Sequence, residues 1–177
     1  MCKLHEPTAP NPAFTQHLAN ETQTAKDTMR YHAPTAKGAP DELSQRLEEL
    51  VDAHSETIVG LSQYLHAHPE TAFEEHGSVQ RITEILSEHN LDAEVGVYGV
   101  DTAFESHLTN GEGPTIAILS EYDALPEIGH ACGHNVMAAT GLGAYLALAD
   151  LLRENPSAFK GTVKYICLLY TSPSPRD

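Results

Sequence analysis

Beyond Pro40 the apolar residues fall into a pattern. Leu43, Leu47, Leu50, Val51, Ile58, Leu61 and Leu65 recur at helical spacing, with His54 on the same stripe, which predicts one long amphipathic helix to about His66. Asp41 after Pro40 is the expected N-cap. Pro69 is the expected stop, because the residue before a proline is pushed out of the α region. The stretch Leu65 to Ser78 reads as a loop, and Val79, Ile82, Ile85 and Leu86 mark a second helix that Asn90 can close in a left-handed conformation.

The period then shortens. Ala93 to Val97 and Thr102 to Leu108 read as strands, the second with Ala103, Glu105 and His107 on one face and Phe104, Ser106 and Leu108 on the other. Asn110-Gly111 and Gly113-Pro114 are turn signals. Thr115 to Ser120, TIAILS, is an unbroken apolar run of strand length, which predicts burial on both faces. After a bend, Asn135 is the expected cap of a helix through VMAATGLGAYLALADLLRE, whose small residues permit close packing on a sheet. Asn155-Pro156 ends it, and Gly161 to Ile166 begins another strand. The alternation predicts an α/β fold with a mixed, mostly parallel sheet flanked by helices.

Composition divides the chain further. Residues 1 to 40 hold only Leu4 and Leu18 as branched aliphatics against five prolines, too little apolar area to offset chain entropy, so this segment is expected to be disordered. Residues 41–166 form the expected folded part. From 167 to 177 the sequence becomes CLLYTSPSPRD, with no period of either kind. It reads as a non-native adapter scar or, alternatively, as a natural flexible tail.

The formal net charge is −15, and the residues after position 40 carry six Lys/Arg against 22 Asp/Glu. Nucleic acid and anionic membranes require a basic footprint, so neither is an expected partner. Three cysteines, Cys2, Cys132 and Cys167, suggest no disulfide framework and favour a reducing compartment. With no signal-type apolar region after Met1 and no run of about 20 apolar residues, the expected location is cytoplasmic.

The chemistry concentrates between Ile118 and Thr140, where Glu121, Asp123, Glu127, His130, Cys132 and His134 fall in one bend. In His130-x-Cys132-x-His134 the donors recur at every second residue, so an extended backbone would aim all three to one side. Thiolate and imidazole are preferred zinc ligands, carboxylates complete such sites, and Gly129 and Gly133 allow a tight path. Asp123 and Glu121 share a face of the strand end, where a carboxylate could bridge two metals or orient a ligating imidazole. A buried Cys and a hydrogen-bonded loop His are the ordinary alternatives. His66, His68 and His76 with Glu70, Glu74 and Glu75 read as a solvated helix end rather than a second metal site.

Three blocks, LHAHPETAFEE, GPTIAILSEYDALPEIGHACGHN and GTVKYI, resemble successive blocks of the aminoacylase and carboxypeptidase type of dinuclear metallopeptidases. The nearest branch in appearance is the amidohydrolases that include p-aminobenzoyl-glutamate hydrolase and β-alanyl-lysine-type dipeptidases. The resemblance implies a zinc-peptidase-like catalytic domain, here incomplete, with Cys132 and His134 as metal ligands and Asp123 as the acid beside the metal centre. Glu121 stands where other branches carry a metal-binding His, and Asn135 where many relatives have Asp. His130 matches the motif without being a ligand in the family pattern.

It also implies a divalent cofactor, zinc or manganese, two ions per site in the parent protein. The implied reaction is hydrolysis of the amide bond of a small N-acyl amino acid, dipeptide or aminobenzoyl-glutamate-like substrate, and the parent is a homodimer through a further domain. A P-A-E-E block with the general-base glutamate, expected after the G-T-V strand, is not found in this sequence, so the chain is expected to be an inactive N-terminal piece. The rival readings are a non-catalytic metal-binding or interaction module, and a thiol enzyme using Cys132.

Overall fold

The computed structural model describes residues 38–167, together with Ala13, Gln16, His17, Ala19, Asn20, Glu21, Gln23 and Thr24. The chain divides into Met1–Gly38 and Ala39–Asp177. Those eight residues of the first unit are helical and exposed. The disorder expected for the rest of 1–37, and the tail from Leu168 onward, lie outside the described residues.

The long helix is two. Helix α1 is Asp41–Ala53 and α2 is Ser55–Ala67, interrupted at His54, which has φ −91° and ψ 4°. The His54 side chain is buried and its Nε2 lies 2.8 Å from Asp150 Oδ2, so the break falls where the stripe carries a polar group pinned to another helix. Asp41 is the first helical residue rather than the cap. Pro40 holds the N-cap position and no side chain caps the end, although Asp41 and Glu42 in the first turn complement the helix dipole.

Helix α3, His76–Glu88, buries Val79, Ile82, Ile85 and Leu86. Asn90 has φ +57°, and the bonds from Leu91 N to Leu86 O and from Asn90 N to Ser87 O complete the expected left-handed closure. Strand β1 is Ala93–Val95, shorter than expected because Gly96 turns left-handed and a 3₁₀ turn, Val97–Gly99, follows. Strand β2 is Phe104–Asn110 and β3 is Thr115–Ser120. Helix α4, His134–Glu154, leads into β4, Gly161–Cys167. The last strand thus includes Cys167, buried opposite Phe104 and Ser120.

The sheet is mixed, in the order β1-β2-β4-β3. Only β3 and β4 are parallel, while β1·β2 and β2·β4 are antiparallel. This departs from the mostly parallel expectation for a topological reason. A parallel pair needs a crossover of about a dozen residues or more, and only the β3-α4-β4 connection supplies a helix between paired strands.

The core lies against the sheet face that carries Phe104, Val163, Tyr165 and Cys167, and joins Leu61, Leu65, Ile82, Leu86, Leu142 and Leu146 from the helices. The opposite face carries Glu105, His107, Lys164 and Leu119. Strand β3 is accordingly not buried on both faces. It sits at the sheet edge with Ile116 62% and Leu119 65% exposed. An apolar run reports what a strand is suited to bury, not whether a neighbour is present.

Helix α4 is the axis of the packing. By length and composition it could cross a membrane, but its apolar side chains Leu142, Tyr145 and Leu146 form the core. A Cβ on Gly141 would stand 2.2 Å from Ser120 Oγ and 3.1 Å from the Tyr165 ring, and one on Gly143 would stand 2.4 Å from Ile58. Gly141 therefore permits the expected close approach to the sheet, while Gly143 permits close approach to α2.

Candidate metal centre

The bend leaves the carboxyl end of β3. Tyr122 turns inward, buried, with its hydroxyl donating to the Thr102 carbonyl and its ring stacked near Phe104 at 6.4 Å. Burial raises the Tyr122 pKa, holding it as a donor. Alternation along the extended chain then puts Glu121 and Asp123 on the other side. Ala124 N donates to Glu70 O at 2.7 Å, Leu125 and Gly129 exchange backbone bonds of 2.9 and 3.0 Å, and Gly133 N returns to His130 O at 3.1 Å. Gly129 and Gly133, with φ of +62° and +85°, make these reversals at low cost.

Gly133 is the N-cap of α4 and His134 its first residue. Asn135 is not the cap. It lies inside the first turn, buried, and donates through Nδ2 to Ser62 O at 3.2 Å and Ser62 Oγ at 3.1 Å. Together with the bond from Tyr165 Oη to Ala138 O at 3.0 Å, this ties the start of α4 to α2 and β4.

His134 is consequently held still, and both its ring nitrogens face carboxylates. Nδ1 lies 2.7 Å from Asp123 Oδ1, and Nε2 lies 3.1 Å from Glu121 Oε2. Glu121, Asp123 and His134 form the group of donors within 4.8 Å of one another found among the described residues. Imidazole plus carboxylates is a donor set that divalent zinc or manganese accepts, so the residues present fit such an ion.

The other expected donors lie elsewhere. Cys132 is exposed and does not join this group. His130 is buried, 7% exposed, and neither ring nitrogen meets hydrogen-bond geometry. Burial lowers its pKa, with nearby His66 and His134 acting in the same sense and the Leu65 backbone opposing. The backbone explains the divergence: residues 130–133 turn rather than extend, so every-second-residue spacing does not aim the three donors to one side. Glu127, at φ +66°, is exposed.

The preceding loop contributes support. Glu70 accepts bonds from Gly77 N at 2.8 Å, Ser78 N at 2.7 Å and Ser78 Oγ at 2.6 Å, which caps α3, while its own carbonyl carries the Ala124 bond. Glu75, 1% exposed, accepts from Thr102 Oγ1 at 2.7 Å. Neither role was visible beforehand, because Glu70 lies outside the N-cap and N3 positions where capping signals are read. His68 Nδ1 lies 2.8 Å from Tyr64 O, the helix-end role expected of this segment.

No family model matches the chain. It is 37% identical over 121 residues to the Xaa-Arg dipeptidase of Mus musculus, covering 63% of this chain and 28% of that protein. It is 26% identical over 141 residues to one component of the p-aminobenzoyl-glutamate hydrolase of Escherichia coli, covering 70% of this chain and 29% of that protein. Among solved structures, a dinuclear metal binding peptidase from the M20 family of Bacillus subtilis superposes with a TM-score of 0.53 at 27% identity, over 66% of this chain and 35% of that one. The aminobenzoyl-glutamate utilization protein of Klebsiella pneumoniae shares the fold, with a TM-score of 0.54 at 16% identity, over 69% of this chain and 38% of that one.

In fold and sequence the chain is thus an α/β domain similar to metallopeptidases and amidohydrolases. It is similar to a dinuclear metal binding peptidase of the M20 family and to curated dipeptidases and amidohydrolases, in keeping with the resemblance of its three motif blocks. It spans under a third of the length of those curated relatives.

Proposed function

We propose that this chain is the N-terminal part of the catalytic domain of a metal-dependent amidohydrolase or dipeptidase, with residues 41–166 as that part. The whole protein would hydrolyse the amide bond of a small N-acyl amino acid, dipeptide or aminobenzoyl-glutamate-like substrate in the cytoplasm. The carrying observation is the His134 imidazole, fixed at the start of α4 and held at Nδ1 by Asp123.

In this reading His134 and Cys132 hold zinc or manganese, and Asp123 sets the tautomer and orientation of the ligating ring. The chemistry the metal supplies is Lewis-acid polarisation of a carbonyl and a nucleophilic water at neutral pH. Asp123 accepts a hydrogen bond from Nδ1–H, which leaves the Nε2 lone pair free as the donor atom toward the ion. Tyr122, Ala124 and Asn135 keep the bend and the helix start in register. The relatives' names, a Xaa-Arg dipeptidase and an aminobenzoyl-glutamate hydrolase, support the substrate class.

Metal content of the purified chain after dialysis tests the reading. Stoichiometric zinc or manganese that is lost in His134→Ala and reduced in Cys132→Ser is the expected result. A metal-free chain whose Cys132 reacts rapidly with an alkylating reagent near neutral pH would favour the thiol alternative instead.

A further inference from the structure

We infer that Glu121 is itself a metal ligand in this chain and supplies the carboxylate beside His134 Nε2, an assignment that rests on the metal-centre reading above. The two carboxylates flanking the ring are not equivalent. Asp123 Oδ1, at 2.7 Å from Nδ1, occupies the position of a partner that accepts the ring N–H. With the proton on Nδ1, the opposite nitrogen presents a lone pair. That lone pair faces Glu121 Oε2 at 3.1 Å.

Two acceptors facing each other at this distance repel unless a cation or a proton lies between them. A divalent ion resolves the conflict directly. With metal–ligand bonds of about 2.1 Å, two donors to one ion stand about 3.0 Å apart at octahedral and about 3.4 Å apart at tetrahedral angles. The observed Glu121–His134 separation falls inside that interval, so the two donor atoms are spaced as neighbouring vertices of a coordination polyhedron.

The local fold holds Glu121 there. It follows Ser120, the last residue of β3, and precedes Tyr122, whose buried ring and hydroxyl bond lock the backbone. Its side chain is about one-quarter exposed, compared with 12% for Asp123. That places Glu121 on the accessible side of the ring, where an ion can enter, and Asp123 on the enclosed side. Cys132, exposed and two residues before His134, remains available as a further donor from the bend.

The test is titration of the purified chain with Co²⁺, followed by calorimetry and by the visible d–d spectrum, for the wild type, Glu121→Gln, Glu121→Asp, Cys132→Ser and His134→Ala. If Glu121 ligates, Glu121→Gln loses about 100-fold or more in Co²⁺ affinity, at or beyond the upper end of what outer partners alone cost, and its d–d envelope changes. Glu121→Asp, which keeps the charge and withdraws it by one methylene, also shifts the envelope. A Glu121→Gln protein with weaker binding and an unchanged envelope acts only as a nearby charge and overturns the inference. So does a Glu121→Asp protein indistinguishable from the wild type, should Glu121→Gln fail to fold. If the wild type binds and only His134→Ala and Cys132→Ser lose Co²⁺, the metal centre stands and the Glu121 assignment falls. A wild type that binds no Co²⁺ overturns both.

Discussion

Asp123 Oδ1 lies 2.7 Å from His134 Nδ1, joining the bend after β3 to the first residue of α4. The contact orients a ring that has no other partner at Nδ1 closer than the Asp123 backbone carbonyl, at 3.2 Å. Asp123→Ala is therefore expected to weaken metal binding by about 10–100-fold, the usual cost of losing a partner that orients a ligating imidazole. Isothermal titration with Zn²⁺ measures it. An unchanged affinity would show that Asp123 does not orient the ligand.

How much of this was legible beforehand depends on what each signal reports. Asn90's left-handed closure, the alternation of Phe104 and Ser106, and the close packing at Gly141 are local matters, and residue type sufficed for each. The two-helix break at His54 was not legible, because the residue that pins its side chain, Asp150, lies 96 positions away. The exposure of β3 was hidden for the same reason, since an apolar run cannot state what covers it. In the site, the bend and His134 were readable from composition. The pairing with Glu121 was not, because it depends on where α4 starts relative to the end of β3, and Gly133 sets that start. The cap expected at Asn135 falls two residues earlier, at Gly133, for the same reason.

Gly141 offers a test of the packing between α4 and the sheet. A methyl there would meet Ser120 Oγ at 2.2 Å and the Tyr165 ring at 3.1 Å. Tyr165 is wholly buried and bonded to Ala138 O, so it cannot retreat. Gly141→Ala is expected to destabilise by about 1–3 kcal/mol through overpacking, against a gain of about 1 kcal/mol in helix propensity. Gly143→Ala meets only the Ile58 side chain, which is partly buried against the core and, unlike Tyr165, holds no hydrogen bond, so its cost is smaller. Urea midpoints of the two variants give the order, and Gly143→Ala as the more harmful would contradict it.

Glu70 separates stability from metal binding. Its carboxylate satisfies two orphan N–H groups and a hydroxyl at the start of α3, while only its backbone carbonyl touches the bend. Glu70→Ala should lower stability by about 1–2 kcal/mol, as loss of an N-terminal cap does, and leave Zn²⁺ affinity of the folded protein nearly unchanged. A variant of normal stability with impaired binding would reverse these roles.

Glu105 sets the acid limit of the sheet's open face. Partial burial alone would raise its pKa. The Tyr98 hydroxyl and His107 Nε2 both donate to it, and Lys164 Nζ lies 3.0 Å from Oε2, so the carboxyl is held at about 2 rather than the ordinary 4.5. A folded pKa below the unfolded one means that the unfolded chain binds the proton more readily between these two values. The stabilisation is therefore complete above about pH 4.5 and is lost as pH falls toward 2. Chemical denaturation from pH 6 to pH 2 should show the wild type losing its advantage over Glu105→Gln across that window, with a constant difference above it. Added salt should reduce the advantage, because the cluster is partly open to solvent. A gap between the two proteins that stays the same down to pH 2 would mean that these three donors do not stabilise the ionised carboxylate.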